Sequence, residues 1–489
     1  MKTRNLTLLF INLLIFNNIT SFSQSFWPQF RGPEGAGKSL ESKPLPAELS
    51  TSKNLLWKNA VSEGVSSLCI WGDRIFLTGR KGDSLETIGM DRVSGKILWS
   101  HAVVPEKLER VHPVGHVAAP TPTTNGKQVF SYFGSYGLLC YDFDGNLMWE
   151  KKIPQQGNMY GTAVSPIIYE DKLIFSRDAN ENSFVELIDP KTGTTIWKID
   201  RPGFRGNWST PMVAKVDGID ELIIYGIWWM KAYNLKDGSE LWSFPGLTDE
   251  PIITPVYGDG LIFLTSYNMK TNPEVIGLPT WDSLIRLYDA NRDSLLEFEE
   301  IKSNKSILSR YDDDGEGDHP LPGFFRWLDA DRNGKITPKE WGKIVAWVDG
   351  FPHENALIAL SPSTTSGVDP IVAWRYTLGV PECPSPLHHN GQIWMLADGG
   401  LVTCLVAKTG KLTYSAKLEA GGAYYASPVY GDGKIFTASA RGVVTIFDAG
   451  KEFMVLSKTD FKERIMATPA IADGKIYIRT GGGVYAFGN

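Results

Sequence analysis

A small residue followed by proline returns at near-regular intervals along most of this chain. The pairs are Ala119-Pro120, Ser165-Pro166, Thr210-Pro211, Thr254-Pro255, Ser385-Pro386, Ser427-Pro428 and Thr468-Pro469. Successive prolines lie 46, 45, 44, 131, 42 and 41 residues apart, so one interval carries about 87 residues of inserted chain. Val65-Ser66-Ser67-Leu68 opens an eighth, weaker copy. A fixed period in this range means that one supersecondary unit is repeated and buries its core against its neighbours.

Each copy continues alike. A turn such as Gly258-Asp259-Gly260 or Gly431-Asp432-Gly433 leads into a short β-rich run such as Leu261-Ile262-Phe263-Leu264. A second turn then carries a glycine followed four positions later by an aromatic: Gly95 and Trp99, Gly145 and Trp149, Gly193 and Trp197, Gly238 and Trp242, Gly410 and Tyr414. Glycine supplies the positive φ of a tight hairpin, and the ring can cover a flat area between neighbouring units. Four short strands in 40 to 46 residues is the size of a propeller blade. The last copy stops at Gly483-Val484-Tyr485-Ala486-Phe487 without an outer strand, and Leu55-Leu56-Trp57-Lys58 near the start can supply one. Closing the ring this way removes an exposed sheet edge. The expected fold is all-β: an eight-bladed propeller whose last blade the N-terminus completes.

The Asp-x-x-(Ser/Thr)-Gly-x-x-x-Trp signature at Asp91, Ser94, Gly95 and Trp99, and again at Asp189, Thr192, Gly193 and Trp197, resembles the PQQ-like propeller repeat. So does the opening Phe26-Trp27-Pro28-Gln29-Phe30-Arg31-Gly32-Pro33. That resemblance covers nearly all of the chain outside the insertion and implies the fold. It implies no single activity, because the superfamily includes quinone-dependent alcohol dehydrogenases, outer-membrane assembly scaffolds and other secreted proteins. Dehydrogenases of the alcohol-oxidising type carry adjacent cysteines against the cofactor. Here Cys69, Cys140, Cys383 and Cys404 are scattered, and no CxxCH haem site occurs, so PQQ is not expected as a cofactor.

The long interval holds the most specific motif. Asp329-Ala330-Asp331-Arg332-Asn333-Gly334-Lys335-Ile336-Thr337-Pro338-Lys339-Glu340 fits an EF-hand loop. Oxygen ligands fall on Asp329, Asp331 and Asn333, the Lys335 carbonyl and the bidentate Glu340, with Gly334 at the sharp turn and Ile336 as the apolar residue that pairs two loops. Forty residues earlier a second such run offers Asp289, Asn291, Asp293, the Leu295 carbonyl and Glu300, with Ser294 where glycine is usual. Apolar positions at Leu284, Leu287, Phe324, Leu328, Trp341 and Ile344 predict flanking helices. Two Ca²⁺ sites, acting as a structural brace, are expected. Asp312, Asp313, Asp314, Glu316 and Asp318 between the loops read as a solvated linker.

Residues just before each small-residue–proline pair should converge on one mouth of the channel. Reading back gives His112 and His116, Tyr160, Arg205 with Asn207 and Trp208, Glu250, Glu382, Tyr424 with Tyr425, and Arg464. His388 and His389 follow their proline and fall in a strand or turn. Arginines can hold a carboxylate bidentately, and His and Tyr can exchange protons near neutral pH. Such a set suits β-elimination of a uronic-acid polysaccharide, with His112 or His116 as base, Tyr160 as acid, and Arg205 or Arg464 on the carboxylate. Known lyases of ulvan-like polymers also use propeller scaffolds, which is fold-level analogy. A non-catalytic binding or assembly propeller is the alternative reading.

The net charge of −6 over 489 residues excludes a nucleic-acid partner that would need a surplus of Lys and Arg. Lys2, Arg4 and the apolar run Leu6 to Phe16 before Ser21-Phe22-Ser23 read as a cleavable export signal. The expected organisation is a signal over 1–24, propeller over 25–280, calcium module over 281–350 and propeller over 351–489. The mature protein is expected to be periplasmic or secreted, monomeric and without a membrane span.

Overall fold

The computed structural model describes residues 26–155, 157, 160–268, 278–304, 321–349, 355–363, 365 and 367–489. The export signal at 1–24 and the acidic run from Asp312 to Asp318 lie outside these residues.

Eight antiparallel sheets follow one another around a ring, and in all but the last the four blade strands follow in chain order, the insertion falling between the second and third strands of blade five. Blade one contains Cys69–Trp71, Arg74–Lys81, Ser84–Asp91 and Ile97–Val103, with Phe26–Trp27 added on its inner edge. Blade eight is the exception. Ala470–Ala472, Lys475–Arg479 and Gly483–Gly488 are completed by Leu55–Ala60, with Leu55 opposite Phe487 and Ala60 opposite Gly483. The predicted closure by the chain start is therefore what the fold does. Middle strands are buried on both faces, as in Gln128–Phe133, whereas outer strands such as Leu147–Lys152 are mostly exposed. This gradient reflects stacking of sheet on sheet with only the rim in water.

The glycine–aromatic signature is an inter-blade lock. The indole N–H groups of Trp57, Trp99, Trp149, Trp197 and Trp374 each donate to a carbonyl of the next blade: Arg92, Phe143, Pro190, Leu235 and Ala407, at 2.9–3.1 Å. Each ring also lies on the signature glycine of that next blade; a Cβ at Gly193 would sit 2.8 Å from Trp149 Cδ2. The glycine thus meets two demands at once, a positive φ of 72° and a surface flat enough for an indole. Trp242 departs from the pattern. The next blade carries the insertion and has Pro370 four residues before Trp374 instead of glycine. Its N–H turns back to Glu221 Oε2 at 2.9 Å.

The small residue before each proline forms a ring of hydroxyls around the axis. The backbone N–H of Ser67 donates to Thr121 Oγ1, Thr121 to Ser165, Ser165 to Thr210, Thr254 to Ser385, Ser385 to Ser427, Ser427 to Thr468, and Thr468 back to Ser67, all at 2.9–3.1 Å. Two corrections follow. The second repeat is registered on Thr121-Pro122, two residues beyond Ala119-Pro120, because only a hydroxyl can continue the ring. Between Thr210 and Thr254 the described residues show no such bond, and Trp208 N–H reaches Pro251 O at 3.1 Å instead.

The opening segment crosses the far ends of the innermost strands. Pro28 O accepts from Thr123 Oγ1 and Thr124 N, Gln29 Oε1 from Ile168 N, Arg31 Nη2 donates to Pro386 O, and Tyr430 N donates to Gly37 O while Tyr430 O accepts from Ser39 N. These partners follow the hydroxyl ring in sequence, so the segment closes the channel at the end away from the predicted mouth.

Candidate functional site

Two places concentrate chemistry. At the mouth, the loop ahead of blade two packs onto the loop ahead of blade three. Glu109 Oε2 accepts from Thr162 N and Oγ1, both at 3.1 Å, and a Cβ at Gly115 would lie 2.0 Å from Tyr160 O. The approach needs glycine there. His112 consequently meets Tyr160 edge-on, with ring centroids 5.4 Å apart. Trp208 stands on the other side of Tyr160 at 5.2 Å, also edge-on. Its loop is anchored by the buried pair Arg201–Asp178, at 2.8 and 2.9 Å, to which Asn207 Nδ2 also donates. Trp208 Nε1 donates to Gly161 O at 2.9 Å, which ties blade four to blade three. Tyr160 OH reaches Glu250 Oε1 at 3.3 Å.

The electrostatics of this group are negative. Burial is the largest cause raising the Tyr160 phenol above its ordinary pKa, and the carboxylates of Glu250 and Glu382 add to it. Tyr160 therefore keeps its proton. Glu109, buried with Oε1 unpaired among the described residues, is pushed up to about 7 by desolvation, against the Thr162 hydrogen bonds.

The structure brings together five of the predicted mouth residues: His112, Tyr160, Trp208, Glu250 and Glu382. Arg205 and Arg464 are both exposed. His116 is acted on instead by Glu63, Arg479 and Arg80; burial lowers it to about 4, and its Nδ1 accepts from Ala118 N at 3.0 Å. Several others are tied into the framework. Asn207 and Tyr424 are buried, and Tyr424 N donates to Asp398 Oδ1. His388 lies in the strand Leu387–His389, pairs with Asp259 at 2.9 Å and stacks on Phe263, while His389 stacks on Tyr430 at 3.7 Å. Glu109 was missed by reading back from the proline pairs, because it lies beyond that window. Only the packing of loop on loop brings it to the site.

The second place is the insertion between the second and third strands of blade five. It comprises α1 (Trp281–Tyr288), α2 (Phe298–Ile301), α3 (Leu321–Leu328) and α4 (Pro338–Asp349). Two loops separate the helices of each pair, and Leu296 and Ile336 face each other in a two-residue antiparallel ladder. Both are fully buried in a core with Leu284, Phe325, Leu328, Trp341 and Ile344. Leu287, expected on the apolar face, is instead 70% exposed. It follows Leu284 by three positions, and the core is already met by Ile285 and Tyr288 on either side.

In the second loop, carboxylate oxygens of Asp329, Asp331 and Glu340 lie within 4.8 Å of one another. Asp329 Oδ1 and Oδ2 accept from Asn333 N and Gly334 N, both at 3.0 Å, while Glu340 accepts from Ala330 N and Thr337 N. These bonds fold the loop around a point with oxygens facing inward, the donor set a hard divalent cation takes. The first loop repeats the pattern, with Asp289 accepting from Asp293 N and Ser294 N and Glu300 from Ala290 N and Glu297 N. Ser294 adopts φ 62°, the left-handed conformation that costs a non-glycine residue about 1 kcal/mol or more. Asp293 is also held by the Lys335 ammonium at 2.6 Å.

Comparisons with known proteins agree with the architecture. Residues 47–158 and 94–250 match the family model described as outer membrane protein assembly factor BamB. Among solved structures, BamB from Moraxella catarrhalis is 12% identical with a TM-score of 0.52, covering 89% of this chain and 99% of that one. The quinohemoprotein alcohol dehydrogenase from Comamonas testosteroni is 12% identical with a TM-score of 0.51, covering 95% and 81%. The computationally designed Ika8 protein is 11% identical with a TM-score of 0.53, covering 89% and 100%. No curated protein matches at the level of sequence. At these identities the likeness is one of fold. No helix among the described residues is long and apolar enough to cross a membrane. Ring topology makes this chain an eight-bladed β-propeller, and its repeat signature and the stretch over residues 47–250 that matches the family model are similar to PQQ-like propeller repeats.

Proposed function

We propose that this protein is an exported, calcium-braced binding propeller whose mouth docks a partner segment presenting a basic side chain. The observation that carries the reading is the group around Tyr160: two further aromatic rings, His112 and Trp208, in T-shaped contact with it, and the carboxylates of Glu250 and Glu382 acting on the phenol. Aromatic rings beside carboxylates recognise Lys or Arg by combined cation–π and charge-assisted contacts. A polyanion would meet repulsion from these carboxylates. The matched family is described as an assembly factor, which accords with a docking role. Calcium at Asp329, Asp331, Asn333, the Lys335 carbonyl and Glu340 would fix the angle of the helix pairs and so brace the insertion.

The test is a fluorescence-anisotropy titration of the calcium-loaded protein with a labelled Lys-rich peptide and, in parallel, a labelled oligoglucuronate. Saturable peptide binding that is lost in Glu250→Gln and Glu382→Gln is expected. Binding of the oligoglucuronate alone overturns the reading.

The second reading, a polysaccharide lyase acting by β-elimination on a uronic-acid polymer, is favoured by the 5.4 Å His112–Tyr160 pair, a base beside a protonated acid. Its signature would be a rise in ultraviolet absorbance from the unsaturated product on incubation with ulvan, pectin, alginate or glycosaminoglycans. That rise should be abolished by Tyr160→Phe.

A further inference from the structure

We propose that Lys335 makes the inserted helix pair a one-calcium module, its backbone carbonyl serving the second loop while its ammonium fills the first. This rests on the calcium reading above and adds how the two loops share the ion. The ladder places Lys335 directly opposite Glu297. From there its Nζ lies 2.6 Å from Asp293 Oδ2 and 2.9 Å from Glu297 Oε1. Asp293 is the fifth-position ligand of the first loop, so a cation entering that loop must take an oxygen that already holds a positive charge. It would also sit within a few ångströms of the ammonium, where like charges repel.

The two loops differ just where this predicts. The second-loop carboxylates converge, and among the described residues no Lys or Arg pairs with them. The first loop has Asn291 at the position of Asp331, and its fifth-position Asp293 is paired with the Lys335 ammonium. The first loop also carries Ser294 at φ 62° where the second has Gly334 at φ 84°. The lysine is thus an internal counter-cation that closes the first loop without metal. Through its main chain it still offers the seventh-position carbonyl of the second loop, five residues before Glu340.

The test is isothermal calorimetry of the mature full chain, stripped with chelator and titrated with calcium chloride. One equivalent is expected for the native protein, one for Lys335→Arg and two for Lys335→Met, which keeps the backbone carbonyl and the stem. Glu340→Gln should lose the single equivalent. Circular dichroism checks that each variant remains folded. Two equivalents in the native protein overturn the inference and leave the calcium reading standing. One equivalent in both Lys335→Met and the double variant Lys335→Met, Ser294→Gly also overturns it, because loop geometry alone would then limit the site. No binding by any of the proteins overturns the calcium reading itself, and the inference with it.

Discussion

Replacing Gly193 by alanine asks how much of the repeat signature is turn chemistry and how much is packing. Gly193 has φ 72°, and an added Cβ would meet Trp149 Cδ2 at 2.8 Å and Cε3 at 2.9 Å. Ordinary contact is roughly 3.4–4 Å, so the indole must retreat by well over half an ångström. Its N–H bond to Pro190 O, 2.9 Å, opposes that movement. Gly260 offers the matched control. Its φ is 79°, and nothing lies within 4 Å of the position its Cβ would take. A left-handed alanine costs about 1 kcal/mol at either site. Overpacking adds about 1–3 kcal/mol at Gly193 alone. Denaturant midpoints measured by tryptophan fluorescence should therefore show a loss of about 2–4 kcal/mol for Gly193→Ala and about 1 for Gly260→Ala. Adding Trp149→Ala to Gly193→Ala should give a double variant less destabilised than the sum of its parts, since the clash disappears with the ring. Equal losses for the two glycine variants would refute the account of the signature as an inter-blade lock.

Other outcomes follow from the same geometry. Calcium should raise the melting temperature of the native protein, and Glu340→Gln should abolish most of that rise. With an affinity in the 10⁻⁴–10⁻³ M range of extracellular modules, 10 mM calcium contributes on the order of 1–3 kcal/mol. Glu109 binds its proton more tightly folded than unfolded, because burial raises its pKa to about 7. Its contribution is fully present below the unfolded value near 4.5 and is lost as pH rises through 7. Stability of Glu109→Gln, measured from pH 4 to 8, should thus fall less steeply across that window than stability of the native protein; parallel curves would contradict the assignment. Val61 N–H donates to Gly482 O, so in this register Asn59 faces Val484 across the ladder that joins the chain start to Gly483–Gly488; proline at Asn59 removes that strand donor and should lower stability by about 1–3 kcal/mol. A change of under 1 kcal/mol would mean that ring closure does not depend on that strand.

Much of this protein was legible before any coordinates. Periodicity is a local property of sequence, so the eight blades, the strand borrowed from the chain start and the position of the insertion follow from spacing alone. So does the loop motif of the insertion, since its candidate ligand positions lie within twelve consecutive residues and Ile336 sits where two such loops pair. Where the reading slipped, the deciding contacts were distant in sequence. Ala119-Pro120 looks like the repeat pair as well as Thr121-Pro122 does, and only the hydroxyl ring chooses between them. Glu109 lies further ahead of its strand than any window read back from the proline pairs. Whether such a side chain turns into the mouth or out to water depends on how neighbouring loops pack, as Gly115 against Tyr160 shows. Lys335 is the sharpest case. Its place in the loop puts its carbonyl at the seventh position of the motif, a fact of sequence. That its ammonium enters the other loop is a consequence of antiparallel pairing between segments forty residues apart, which only the folded chain brings to bond distance.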